Sequence, residues 1–146
     1  MAYVGQPVPS TTYNAARAKI SDGKSVRVKV TGAAGGTTIE AGKFYLLSGF
    51  FGVAMQSVTL AENETADVIL NIEQAEYETD QIDTQIDTTA SASYAVGTEV
   101  YWNGTLITTA AEDGAATPPT PYRKVGRITA SKDDNNVIWF ILGPQV

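Results

Sequence analysis

The stretch Tyr94–Thr109, YAVGTEVYWNGTLITT, decides the fold. Glu99-Val100-Tyr101-Trp102 contains residues that suit a pleated, half-buried surface, and Thr105–Thr109 is a second such run. Asn103-Gly104 stands between them. A two-residue hairpin turn of the mirror-image type needs φ > 0 at both central positions, which Gly adopts freely and Asn tolerates. The pattern predicts an antiparallel β-hairpin with Asn103 and Gly104 at its apex.

A looser version of the same design occupies Ile39–Met55, IEAGKFYLLSGFFGVAM. There Phe44–Leu47 is the outgoing strand, Ser48-Gly49 the turn and Phe50–Met55 the return. In each copy a small residue and Gly lead into an aromatic strand, a Gly-bearing turn and a returning strand. Two readings stand. One is an internal repeat, in which Val53 after Gly52 corresponds to Ile128 near Gly126 and the later copy carries an insertion between Thr109 and Tyr122. The other is that small β proteins generally carry aromatic hairpins with Gly, and two copies are too few for a solenoid.

Working outward, Ser25–Thr31 alternates Val26, Val28 and Val30 with Arg27 and Lys29, the period of a half-buried strand. Val58–Leu60 and Ala66–Ile72 are further short strands, as are Tyr122–Ala130 and Asn136–Leu142. In the last of these Trp139 and Phe140 fall on opposite faces, so the strand is expected to be covered on both sides. The fold class is therefore all-β, a body of short antiparallel strands and hairpins.

At 146 residues the chain is one domain's worth, enough to bury about two-thirds of its unfolded surface. A net charge of −6 argues against a nucleic-acid partner, which needs clustered Lys and Arg. There is no Cys, hence no disulfide and no thiolate chemistry, and no His, the commonest general base and transition-metal ligand. No run of 18 apolar residues is present, so no membrane partner is expected. The amino terminus lacks the basic start and apolar centre of a secretion signal.

Residues 1–22 differ from the remainder and read as an extended amino-terminal arm, with the β domain at 23–146. Pro7 and Pro9 remove backbone donors and hold their neighbours extended, and Thr12–Lys19 has room for one or two helical turns. The segment is either a disordered tail or a docking arm; Tyr3, Val4, Val8, Tyr13 and Ile20 would serve as apolar anchors for strand addition to a partner. Glu73–Ala90 holds six carboxylates and no basic residue. It lacks the tight Gly-bearing loop that a hard cation prefers, so it reads as a solvated acidic face pinned by Tyr77, Ile82 and Ile86. Residues 110–121, with Gly114, Pro118, Pro119 and Pro121, read as a surface loop.

The chemical signals are weak. Ala18–Ser25 fits a permissive phosphate-loop pattern, but such a loop joins a strand to a helix, whereas here a Pro-rich arm precedes and a β-branched strand follows. No pair of carboxylates is marked for glycosidase work. Tyr101, Trp102, Phe50 and Phe51 are either a sugar-binding platform or core aromatics. No catalytic residue, metal ligand or cofactor is expected.

The succession Ala41-Gly42, Gly52-Val53-Ala54, Val96-Gly97-Thr98-Glu99-Val100-Tyr101-Trp102 and Val125-Gly126-Arg127-Ile128, closed by an apolar strand, resembles a tailed-phage capsid decoration (cement) protein family. The resemblance covers about residues 23–146, and the acidic stretch at 73–90 and the loop at 105–121 are long for the pattern. It implies a small β-sandwich or β-tulip-like barrel that forms a homotrimer on the virion, at the outer surface of the capsid, with the major capsid protein as partner. By analogy with the shell-contacting arms of such proteins, Tyr3, Val4, Pro7, Val8 and Pro9 are the expected capsid-binding residues. The alternative from a different class is a virion-displayed carbohydrate-binding or fibre-like module. A nucleotide-dependent enzyme is not expected.

Overall fold

The computed structural model describes residues 20–85, 94–115 and 117–145. Thirteen strands follow in order: β1 (Ser25–Thr31), β2 (Thr37–Ile39), β3 (Phe44–Leu47), β4 (Phe50–Ala54), β5 (Val58–Leu60), β6 (Thr65–Asn71), β7 (Glu76–Thr79), β8 (Glu99–Trp102), β9 (Ile107–Thr108), β10 (Glu112–Asp113), β11 (Thr120–Pro121), β12 (Arg123–Ala130) and β13 (Ile138–Leu142). The protein is all-β, a small sandwich- or barrel-like body of curled antiparallel sheets, as its periodicity implies. A four-stranded sheet runs β1-β6-β4-β3 and a five-stranded sheet β7-β13-β12-β8-β9; β2-β5 and β10-β11 are two-stranded ribbons.

Two clusters of buried side chains result. One is aliphatic, built from Val28, Val30, Ile39, Ala54, Leu60, Val68 and Leu70. The other is rich in aromatics and joins Phe44 and Phe51 to Trp102, Phe140, Tyr94 and the apolar inner face of the five-stranded sheet. The β3–β4 hairpin is the wall between them. Phe44, Leu46, Phe51 and Val53 turn to the aromatic cluster, while Tyr45, Leu47, Phe50 and Ala54 turn to the aliphatic one. Cross-strand pairing Phe44↔Val53, Tyr45↔Gly52, Leu46↔Phe51 and Leu47↔Phe50 keeps the two sets apart. Alternate side chains of a strand point to opposite faces, so a strand covered on both sides must be apolar at both parities. This explains FYLL and FFGVA. Burying one such side chain contributes about 1.5–3 kcal/mol.

Backbone gaps in this wall are closed by two glutamines. β3 is the outer strand of its sheet, and the Gln81 side chain pairs with Phe44 like a missing strand: Phe44 N–H donates to Oε1 (2.8 Å) and Nε2 donates to Phe44 C=O (2.9 Å). β6 pairs with β4 only at Val53 and Ala54, and beyond that point Gln145 does the same for Phe51, at 2.9 and 3.0 Å. Arg123 ties these parts together, donating to Gly49 C=O at 2.6 Å and Gln145 C=O at 3.0 Å. Gly52 is required where β4 passes β6, because a Cβ there would overlap the carbonyl of Asn71.

Several expectations change. The β8–β9 hairpin forms, but its register pairs Tyr101 with Thr108 and Trp102 with Ile107, so the apex is Gly104-Thr105, one residue later than Asn103-Gly104. Gly104 has φ 110° and Asn103 is not left-handed. The shift sets buried Ile107, not Thr105, opposite buried Trp102. Asn103 instead closes the turn with its side chain, whose Oδ1 accepts from the N–H groups of Thr105 (3.1 Å) and Leu106 (2.9 Å). The apex with φ > 0 at both positions is Ser48 (51°) and Gly49 (87°) in the other hairpin.

The acidic stretch is more than a solvated face. It supplies β7, which pairs with β13, and Ile82, which is buried and forms a parallel bridge to Ile107 at the edge of β9. Tyr77 packs against the aromatic cluster as expected, while Ile86 lies outside the described residues. The 110–121 loop contains the exposed β10–β11 ribbon. The two hairpins are not equivalent in topology: the return strand β4 continues the first sheet, whereas in the second the outgoing strand β8 does. The repeat reading is not supported by that connectivity. Finally, β13 is not covered on both sides, for Trp139 and Ile141 are 47% and 45% exposed.

Candidate interaction face

The outer face of the five-stranded sheet carries the features that an interaction site requires. Along β13, Ile138, Phe140 and Leu142 enter the core and Trp139 and Ile141 point outward. Register fixes their neighbours. Glu78 lies opposite Trp139 and Glu76 opposite Ile141 on β7; on β12, Arg127 lies opposite Ile141 and in turn opposite Glu99 of β8. Directly opposed residues of antiparallel strands share a face, so these side chains form rows across one surface.

Glu99 is the electrostatic centre of the β8–β12 side. Its Oε1 accepts from Lys124 Nζ (2.7 Å) and Arg127 Nη2 (3.0 Å), and its Oε2 from the Tyr101 hydroxyl (3.0 Å). Hydrogen bonds from Lys124 and then Tyr101 hold the carboxyl below its ordinary value, and the same bond to Glu99 raises the Tyr101 phenol. Lys124 and Arg127 are exposed and Glu99 and Tyr101 half-buried, and surface ion pairs of this kind contribute little to stability. They serve to fix Arg127 and Lys124 as an ordered basic rim.

The residues expected to act divide clearly. Tyr3, Val4, Pro7, Val8 and Pro9 lie outside the described residues. Of the aromatic platform, Trp102 (5% exposed) and Phe51 are core residues, tilted against each other with ring centroids 5.1 Å apart. Phe50 and Tyr101 are half-buried on different strands, so the four form no common platform. After the phosphate-loop match the chain enters β1 directly, which leaves no helix terminus to meet a phosphate. Among the described residues no cluster of three or more carboxylates is placed to hold a metal ion, and no helix is long and apolar enough to cross a membrane.

The Trp139–Ile141 surface was missed from sequence for a definite reason. Ile138–Leu142 is apolar at both parities, which by itself says only that both faces avoid water, and not whether this chain or another covers the second one. Compared with known proteins, the chain matches no family model, no curated protein and no solved structure.

Proposed function

We propose that this protein is a structural virion component that decorates the outside of a phage capsid as a homotrimer, bridging major capsid subunits through its amino-terminal arms. The single observation that carries the reading is the family-like pair of motifs, Gly97–Trp102 and Val125–Ile128, which sit side by side on β8 and β12 with Arg127 opposite Glu99. The all-β body, braced by a hairpin buried on both sides, suits a role in which mechanical cohesion matters. The mechanism is binding without chemistry. Once one arm of a trimer docks, the others bind at high effective concentration, so modest contacts sum to a slow release. Binding only the expanded shell stabilises it by mass action.

The test is co-sedimentation of the full-length protein with purified expanded heads. Wild type is expected to pellet with the heads, and Val4→Asp with Val8→Asp in the same chain to remain in the supernatant. Equal pelleting of both proteins removes the arm from the mechanism; failure of wild type to pellet removes the capsid. Aromatics at Tyr101 and Trp102 do not favour a carbohydrate-binding alternative, since Trp102 is inside the core.

A further inference from the structure

Trp139 and Ile141 lie on an interior strand of a sheet whose other face lines the aromatic core, with β7 on one side of β13 and β12 on the other. The surface around them has a direction. On the β7 side stand Glu76 and Glu78, which make no ion pair among the described residues. On the β12 side stand Arg127 and Lys124, two cations sharing the single carboxylate of Glu99. Acidic rim, apolar centre and basic rim follow one another across the strands.

We propose that this face is the contact between copies of the chain, with the acidic β7 flank of one copy against the basic β12 flank of the next and Trp139 and Ile141 buried between them. Charge selects the orientation. A contact that laid β7 on β7 would set Glu76 and Glu78 against their own counterparts, and like charges across an interface are strongly disfavoured. Acid-to-base contact uses both flanks of each copy; between three copies it is heterologous and closes as a ring, whereas between two it would be isologous. The apolar pair then lies toward the axis, where a Trp surrounded by polar groups has the anatomy of an interface anchor. The choice of face stands on these residues; that the ring has three members rests on the homotrimer reading above.

The experiment is native mass spectrometry and sedimentation velocity of the full-length protein across a dilution series. It compares wild type, Trp139→Ser with Ile141→Thr, and Glu76→Lys with Glu78→Lys; far-UV circular dichroism checks that each variant is folded. Wild type is expected to be trimeric, the apolar double variant to dissociate at least about 30-fold more readily, as loss of a hot spot implies, and the charge-reversed variant to weaken measurably. Wild-type tryptophan emission should red-shift and become quenchable by acrylamide on dilution, because Trp102 is buried and Trp139 would be uncovered. If wild type is trimeric and the apolar variant is equally so, the face is wrong while the homotrimer stands. A monomeric wild type at all concentrations overturns both. If the apolar variant dissociates but charge reversal changes nothing, or wild type is a dimer, the acid-to-base ring is overturned.

Discussion

The β3–β4 and β8–β9 hairpins are built from similar words and held by different forces. In β3–β4 both faces are buried, the apex takes φ > 0 at Ser48 and Gly49, and glutamine side chains complete the backbone pairing. In β8–β9 Val100, Trp102, Ile107 and Thr108 are buried, while Glu99 and Tyr101 face outward into an ion-pair network. Its strong turn signal, Asn-Gly, does not set the register; the pairing of Trp102 with Ile107 does. A turn contributes locally, whereas a register that buries two large side chains contributes more, and the chain shifts its apex by one residue to obtain it.

Four tests break or sharpen this contrast. Phe51→Ala removes the stack on Phe44, with centroids 5.4 Å apart, and the contact with Trp102. It should cost about 3–5 kcal/mol in urea denaturation, whereas Tyr101→Ala at the outward position of β8 should cost less than about 1 kcal/mol; equal losses would erase the distinction. The next effect is alkaline. Tyr94 is buried beneath β9, donates to the carbonyls of Asp83 and Ile107, and has its phenol pushed up from 10.0 to about 12 by burial and then by Asp83. The folded state therefore keeps a proton that the unfolded chain releases. Stability is full below about pH 10 and declines toward about pH 12, by roughly 2–3 kcal/mol; chemical denaturation at pH 9, 10 and 11 should show the decline, and Tyr94→Phe should flatten it.

Gln145→Ala tests the clamp on Phe51. It leaves a part-buried N–H and C=O without partners, for an expected loss of about 1–3 kcal/mol and faster amide exchange at Phe51. Unchanged exchange there would show that water replaces the amide. Smallest is Asn103→Ala, which removes the side-chain acceptor for Thr105 and Leu106 and should cost about 1 kcal/mol with the Trp102–Ile107 register retained. Loss of that register by NMR would return primacy to the turn.

Much of this was legible along the chain. Alternation at Val26, Val28 and Val30 placed β1, and Gly- and Asn-bearing breaks placed most other strands, because these signals depend on near neighbours. The β7 strand was hidden by its charges: EYET carries Glu at the exposed parity, and only Tyr77 and Thr79 betray an inward face. The glutamine clamps could not be foreseen, since Gln145 and Phe51 are 94 residues apart and nothing local links them. Likewise the open Trp139–Ile141 surface is indistinguishable, in one dimension, from a strand enclosed within its own chain.

By itself, then, the order of residues determined the all-β class, the positions of its hairpins and the parity of its strands, since each follows from local backbone preference and the two-residue period of side chains. Tertiary structure decided which faces were covered. Register at β9, the double burial of β3–β4 and the exposure of Trp139 each depend on surfaces brought together from distant parts of the chain, where burial of large side chains outweighs the preference of any single turn.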